Sequence, residues 1–274
     1  MRKHKFIIIR YSLLTTKGKS WNISRNHELE EYKRILFSPS RLSTHERLFQ
    51  QVTFPSLVSQ NPNEDEVTLL VLTSDELPQP YKNNLYKMLK PYPWAKVLTF
   101  PCDDSVGDSL YLYLVKELDR FDEKVCYSTT RLDDDDALAP NFNKMLDLYL
   151  HPHFSGFCIS FPSGYTGIYS KEKNSFESFY YRYVPMIALG LSHINTYDPK
   201  TRAFEYEESN VYELKNHTKV DRKRPTILDG RNRTFLRTIH SDSDTYESKQ
   251  VAKTKSLTEV EPDKIREIFT LQGI

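Results

Sequence analysis

Four consecutive carboxylates, Asp133, Asp134, Asp135 and Asp136, stand where a β-prone run over 125–132 gives way to Ala137, Leu138 and Pro140. Two carboxylates about 4 Å apart repel by roughly 4 kcal/mol at an effective dielectric near 20. A fold keeps such a run at a strand end only where a cation or several backbone N–H donors offset the repulsion. Hard oxygen ligands suit Mg²⁺ or Mn²⁺, and the usual partner of such an ion is a substrate phosphate. In an extended chain Asp133 and Asp135 point one way and Asp134 and Asp136 the other. Either pair can therefore be the working one. Acidic runs are commonly solvated faces. Here a strand precedes the run and Phe142, Met145, Leu146 and Tyr149 follow at helical spacing. That context favours a metal or diphosphate site, because open α/β sheets bind ligands at the carboxyl ends of strands.

The elements that must position this run are legible in order. Residues 5–10 read as a short buried strand ending in Arg10, which can stack on a base or pair with a phosphate. A polar stretch with Gly18 and Trp21 leads to a helix with Asn26 as N-cap, and a second helix over 43–52 is expected to stop at Pro55. Strands follow at 67–73 and 96–100, with a helix near 85–89 between them. A helix from Ser105 carries Leu110, Leu114, Leu118 and Phe121. With the strand at 125–132 this makes a βαβαβαβ series, so a doubly wound, largely parallel sheet is expected.

After a helix at 141–150 the character changes. Residues 156–161 and 166–169 look like a hairpin, and 176–183 are dense in aromatics. Eight Lys or Arg fall between Lys215 and Arg237, against Asp221 and Asp229, which suits a diphosphate opposite the Asp run. Residues 234–240 alternate like a strand and end in His240 among Ser241, Asp242, Ser243 and Asp244. A short helix beginning near Pro262 and ending before Gly273 closes the chain.

The 274 residues carry a net charge of +1, so no global field argues for nucleic acid. Cys102, Cys126 and Cys158 show no metal-ligand spacing, and the latter two lie in strand-like runs as core thiols. The apolar run Phe6, Ile7, Ile8, Ile9 is too short for a signal peptide or a membrane span. The chain is thus expected in the cytoplasm, with at most peripheral contact at the inner face of the membrane. Asn22, Asn216 and Asn232 match the glycosylation sequon, which without a secretory signal is a chance match.

The segment Leu132-Asp-Asp-Asp-Asp-Ala-Leu138 resembles the Asp-x-Asp signature of GT-A glycosyltransferases. More of the chain is similar to the bacterial family labelled putative rhamnosyltransferase. The features in order are the strand ending in Arg10, Arg47-Leu-Phe49 through Phe54-Pro-Ser-Leu57 to Gln60, and the strand at 67–73. Leu77-Pro78 with Tyr81, Arg131 before the Asp run and the late strand ending in His240 complete them. The resemblance implies one α/β domain over 1–274, GT-A-like, with a Rossmann-type mostly parallel sheet and helices on both faces. Its first half, about 1–140, would bind the nucleotide sugar, and a C-terminal acceptor lobe, about 141–274, would hold the glycan.

Carried onto this sequence, the resemblance makes Asp133 the residue facing the nucleoside ribose, with Asp134, Arg10 and Arg131 also toward the nucleotide. Asp135 would be the main ligand of Mn²⁺ or Mg²⁺, with Asp136 beside it and His240 or His217 completing the set. Asp134 with Asp136 remains the alternative register. The implied reaction moves a sugar from a nucleoside diphosphate sugar to a hydroxyl of a surface glycan or lipid-linked glycan. A carboxylate base is expected among Glu205, Glu207 and Glu208, and Phe176 to Tyr183 offer an aromatic acceptor wall. The competing classes are a metal-dependent nucleotidyltransferase or phosphohydrolase, and a non-catalytic glycan-binding protein. The absence of a Walker-type Gly-rich loop speaks against the first.

Overall fold

The computed structural model describes residues 1–16, 28–243, 246 and 248–272. Gly18, Trp21, the Asn22 sequon, the cap expected at Asn26, Asp244 and Gly273 lie outside the described residues. The four expected strands are present as β1 (Arg2–Arg10), β2 (Val67–Ser74), β3 (Ala95–Phe100) and β4 (Val125–Asp133). They lie in the order β4-β1-β2-β3, and every pairing among them is parallel.

Strand alternation sends side chains to two cores. Ile7, Ile9, Leu69 and Val71 join one apolar cluster, and Phe6, Ile8, Leu70 and Leu72 join another. The first is covered by α2 (Pro39–Leu48), α3 (Phe54–Val58) and α4 (Gln79–Leu89), which follow α1 (Leu29–Leu36). The second is covered by α5 (Val106–Leu118), through Leu110, Leu114, Val115 and Leu118. Helices on both faces and a mostly parallel central sheet are thus as expected. Ser105 caps α5, its side chain accepting from the Asp108 N–H.

Two expectations are corrected. Pro55 does not end a helix: α2 runs through a π-helical turn, Phe49–Thr53, directly into α3. Pro55 follows the π-helical turn, and the Gln51 carbonyl four residues before it, which the missing N–H would have met, accepts the Gln272 N–H at 2.9 Å. The proposed hairpin is also absent. After α6 (Phe142–Asp147), β6 (Cys158–Ser160) joins the first sheet, whereas β7 (Ser163–Ser170) opens a second. The true partner of β7 is β8 (Ser175–Tyr183), antiparallel to it. Two short adjacent runs gave the pattern of a hairpin, but Phe161 and Pro162 between them carry the chain from one sheet to the other.

The later half returns to the first sheet with β6, β9 (Ser192–Asp198), β10 (Ala203–Phe204) and β11 (Thr226–Leu228). The second sheet, in the order β13-β8-β7-β12-β5, uses β5 (Ala137–Leu138), β12 (Phe235–Ile239) and β13 (Glu259–Val260). Helices α7 (Ser248–Lys255) and α8 (Pro262–Ile268) close the chain, with Ile265 of α8 packed on Tyr165, Phe179 and Leu236. Cys126 and Cys158 are buried free thiols. No described helix is long and apolar enough to cross a membrane.

Candidate functional site

The carboxylate run is shared among five different partners. Asp133 ends β4 opposite its register partner Arg10 on β1. Its Oδ1 lies 3.6 Å from Nη2 of Arg10 and 3.6 Å from Nη2 of Arg131. Both guanidiniums also sit against the Tyr212 ring, 4.9 and 5.6 Å from its centre. Burial alone would raise the Asp133 carboxyl, but Arg131 and Arg10 outweigh it and hold the group below its ordinary value.

The strand stops there, and Asp134 and Asp135 form a turn, so the strict alternation expected of an extended run does not continue. Asp134 Oδ1 is 2.9 Å from Nδ1 of His45, on α2. Asp135 Oδ2 is 2.9 Å from Nε2 of His240. Asp136 Oδ1 accepts the Thr238 N–H at 2.7 Å. The pairing of β5 with β12 explains the last two. Ala137 opposite Leu236 sets the preceding aspartates beside the residues that follow Leu236. The rings of His45 and His240 meet edge to face, 5.2 Å between centres. Burial, with Asp135 and Asp133 nearby, pushes the Asp136 carboxyl well above the ordinary range.

All four aspartates line a cavity of about 840 Å³, together with Arg10, Arg131 and His45. From the basic stretch, Lys215 and Arg237 reach it, and so does His217. Burial and then Arg131 lower the His217 ring's affinity for a proton. Of the other basic residues, Arg224 pairs with Glu208, Arg231 with Asp229, and Arg233 stacks on Tyr165 and Tyr181, while Lys219, Arg222 and Lys223 are exposed.

The carboxylates expected as bases do not come to the cavity. Glu205 and Glu207 are exposed, and Glu208 accepts from Arg224 Nε at 2.9 Å. Asn195 of β9 donates to the carbonyls of Tyr206 and Glu208 and pins that segment to β9. Glu213 lines the cavity instead. It accepts from the Ser209 N–H and hydroxyl and from Asn210 Nδ2, while burial raises its carboxyl. Ser209 and Asn210 shortly before a Glu form a capping-like spacing that could have singled it out. His45 gave no comparable signal, being one histidine in a polar helix.

Among the described residues no group of three or more His, Cys, Asp or Glu side chains is gathered to hold a metal ion by protein alone. The Asp135 carboxylate and the His240 ring, hydrogen-bonded at 2.9 Å, are nonetheless donor types that would suit Mn²⁺ or Mg²⁺. The donor set therefore fits an ion that takes its remaining ligands from phosphate and water.

Residues 5–252 match the protein family described as "Putative rhamnosyl transferase". The chain belongs to this family. The match includes Arg10, the whole Asp run and His240, and ends within α7. No curated protein matches the chain. Among solved structures, the rhamnosyl transferase family member described here is similar to S. aureus TarS 1–349 in complex with UDP-GlcNAc. That likeness has a TM-score of 0.40 and 12% identity, over 90% of this chain and 62% of TarS 1–349. TarS 1–349 without that ligand gives a TM-score of 0.38 and 13% identity, over 86% of this chain and 60% of the other. The chain thus spans less than two thirds of the TarS 1–349 length.

Proposed function

We propose that the cavity binds a nucleoside diphosphate sugar and that the protein transfers its glycosyl group to a hydroxyl of a bacterial surface glycan, free or lipid-linked. The observation that carries this reading is the Asp135–His240 pair at the carboxyl end of a parallel strand, with Arg10, Arg131 and Arg237 lining the same cavity. Carboxylate and imidazole together suit Mn²⁺ or Mg²⁺, and three guanidiniums suit a diphosphate. Family membership points to the same reaction class.

In the transfer, the bond between the anomeric carbon and the diphosphate oxygen breaks. The acceptor oxygen bonds to that carbon, and its proton passes to solvent. The departing diphosphate keeps the electron pair, so negative charge grows beside Arg10, Arg131 and Arg237. Fixed positive groups at that place lower the barrier, because they need no reorganisation as the charge appears. Asp135 and His240 would hold the ion, which when bound supplies further positive charge to the leaving group. Asp133, held between two guanidiniums, sets their orientation. The reaction belongs in the cytoplasm or at the inner face of the membrane, where nucleotide sugars are available.

A thermal-shift panel of UDP, dTDP and GDP, each with and without Mn²⁺, tests donor and ion together. Stabilisation by at least one diphosphate, larger with Mn²⁺, is expected. Asp135→Asn should lower transfer by at least about a hundredfold, the scale of a lost electrostatic stabiliser. Full turnover by that variant, or release of phosphate in place of nucleoside diphosphate, would overturn the reading.

A further inference from the structure

The second sheet carries a group of cations and hydroxyls of which the donor reading uses only Arg237. Arg182 lies on β8 opposite Gly164 of β7, Tyr180 lies opposite Thr166, and Thr166 lies opposite Arg237 of β12. Residues two apart on a strand, and those directly opposite across strands, share a face of the sheet. Arg182, Tyr180, Thr166 and Arg237 therefore face the same side. The opposite face holds Tyr165, Phe179 and Leu236, packed under α8.

Within this face it is Arg182 that lacks a counter-charge. Arg182 is half-buried and makes no ion pair among the described residues, and its Nε is buried with no hydrogen-bond partner. The Thr166 hydroxyl is likewise buried without a partner. Burial, and then the charge of Arg237, disfavour the protonated form of Arg182. Two neighbouring guanidiniums repel, and a buried Nε–H left unmet is destabilising. An oxyanion would remove both costs, since guanidinium forks match phosphate oxygens. Arg237 lines the donor cavity, which places the group at its border.

We propose that Arg182 and Arg237, with the Tyr180 and Thr166 hydroxyls, form a subsite for a phosphate group at the border of the donor cavity. Two sources carry that chemistry: a phosphate on the acceptor, or the diphosphate of the donor. An acceptor source rests on the glycosyltransferase reading, but phosphate binding itself does not.

The test is a titration of inorganic phosphate, followed by calorimetry, into the full chain alone and saturated with UDP. Arg182→Gln should weaken phosphate binding at least about tenfold, as expected for a lost charge-assisted hydrogen bond. Arg182→Met, which keeps the aliphatic stem, gives the same readout where the glutamine lowers the melting temperature. Phosphate bound with UDP present, and lost in the variants, assigns the subsite to the acceptor. Phosphate displaced by UDP, together with weaker UDP binding in the variants, assigns it to the donor. Unchanged phosphate affinity in a folded Arg182 variant overturns the subsite. Failure of the wild type to bind UDP, with the Arg182 effect intact, would remove the proposed function and leave the subsite standing.

Discussion

In the parallel half of the first sheet, β1 to β4, alternate side chains enter two apolar clusters, and charge appears chiefly at the strand ends. In the second sheet, one face of β7, β8 and β12 packs under α8, while the other keeps Thr166, Arg182 and Arg237. A sheet buried on both faces can display chemistry only where its strands end. Asp133 and Arg10 are that display. A sheet packed on one face can carry polar groups along its length. The cavity lies where the two meet, with carboxylates from the end of β4 and their partners His240 and Thr238 from β12 and just beyond it.

The sharpest way to break this comparison is a core truncation in each sheet. Phe6→Ala removes a fully buried ring of the first sheet and should cost about 3–5 kcal/mol of stability, read by denaturant unfolding. A cost below about 1 kcal/mol would mean that the first sheet is not the packed frame described.

The second effect is one of pH and belongs to the first sheet. Burial lowers the rings of His4 on β1 and His193 on β9 to about 4. Unfolded histidine titrates near 6.5, so between about 6.5 and 4 the unfolded chain binds more protons than the folded one. Stability is therefore fully present above about pH 6.5 and falls as pH drops toward 4. Each ring contributes at most on the order of 3 kcal/mol. Melting temperatures measured across that window should decline, and His193→Gln should flatten the slope. A melting temperature constant from pH 7 to 4.5 would contradict the assignment.

How far the sequence carries is clear from the same two regions. β1, β2 and β3 each carry a short apolar run and β4 a β-prone one rich in Tyr and Thr, and such local signals locate strands with little help from tertiary structure. The Asp run and Arg10 were equally visible, because charge at a strand end is local information. The switch between sheets at Phe161 and Pro162 was not. It depends on β7 pairing with β8 and β12, a choice among distant partners that leaves no local pattern. For the same reason Glu208 read as a candidate base until Arg224 and Asn195 claimed its side chain and backbone. His45 was invisible, since its role comes only from the packing of α2 against the Asp134 turn.

His45 gives a third, smaller test at the junction. His45→Leu removes a hydrogen-bond partner of the buried Asp134 carboxyl and should cost about 1–3 kcal/mol, the scale of a buried polar atom left short of a bond. Stability equal to wild type would show that the link between α2 and the Asp run carries no energy. The smallest effect is expected in the second sheet. Tyr181 is half-buried, with the Arg233 guanidinium 5.1 Å from its ring centre. Tyr181→Ala should cost about 1 kcal/mol, as for an exposed cation–π contact. A loss as large as that of Phe6→Ala would mean that both sheets are packed alike.

The central claim is that the Asp run and the end of β12 together form an ion and diphosphate site. Its most direct test is a calorimetric titration of Mn²⁺ into wild type, Asp135→Asn and His240→Ala, each with and without a nucleoside diphosphate that stabilises the protein. Weak Mn²⁺ binding to wild type alone is expected, with tighter binding when the diphosphate is present and loss of that gain in both variants. Equal Mn²⁺ affinity in all three proteins, with or without the diphosphate, would contradict it.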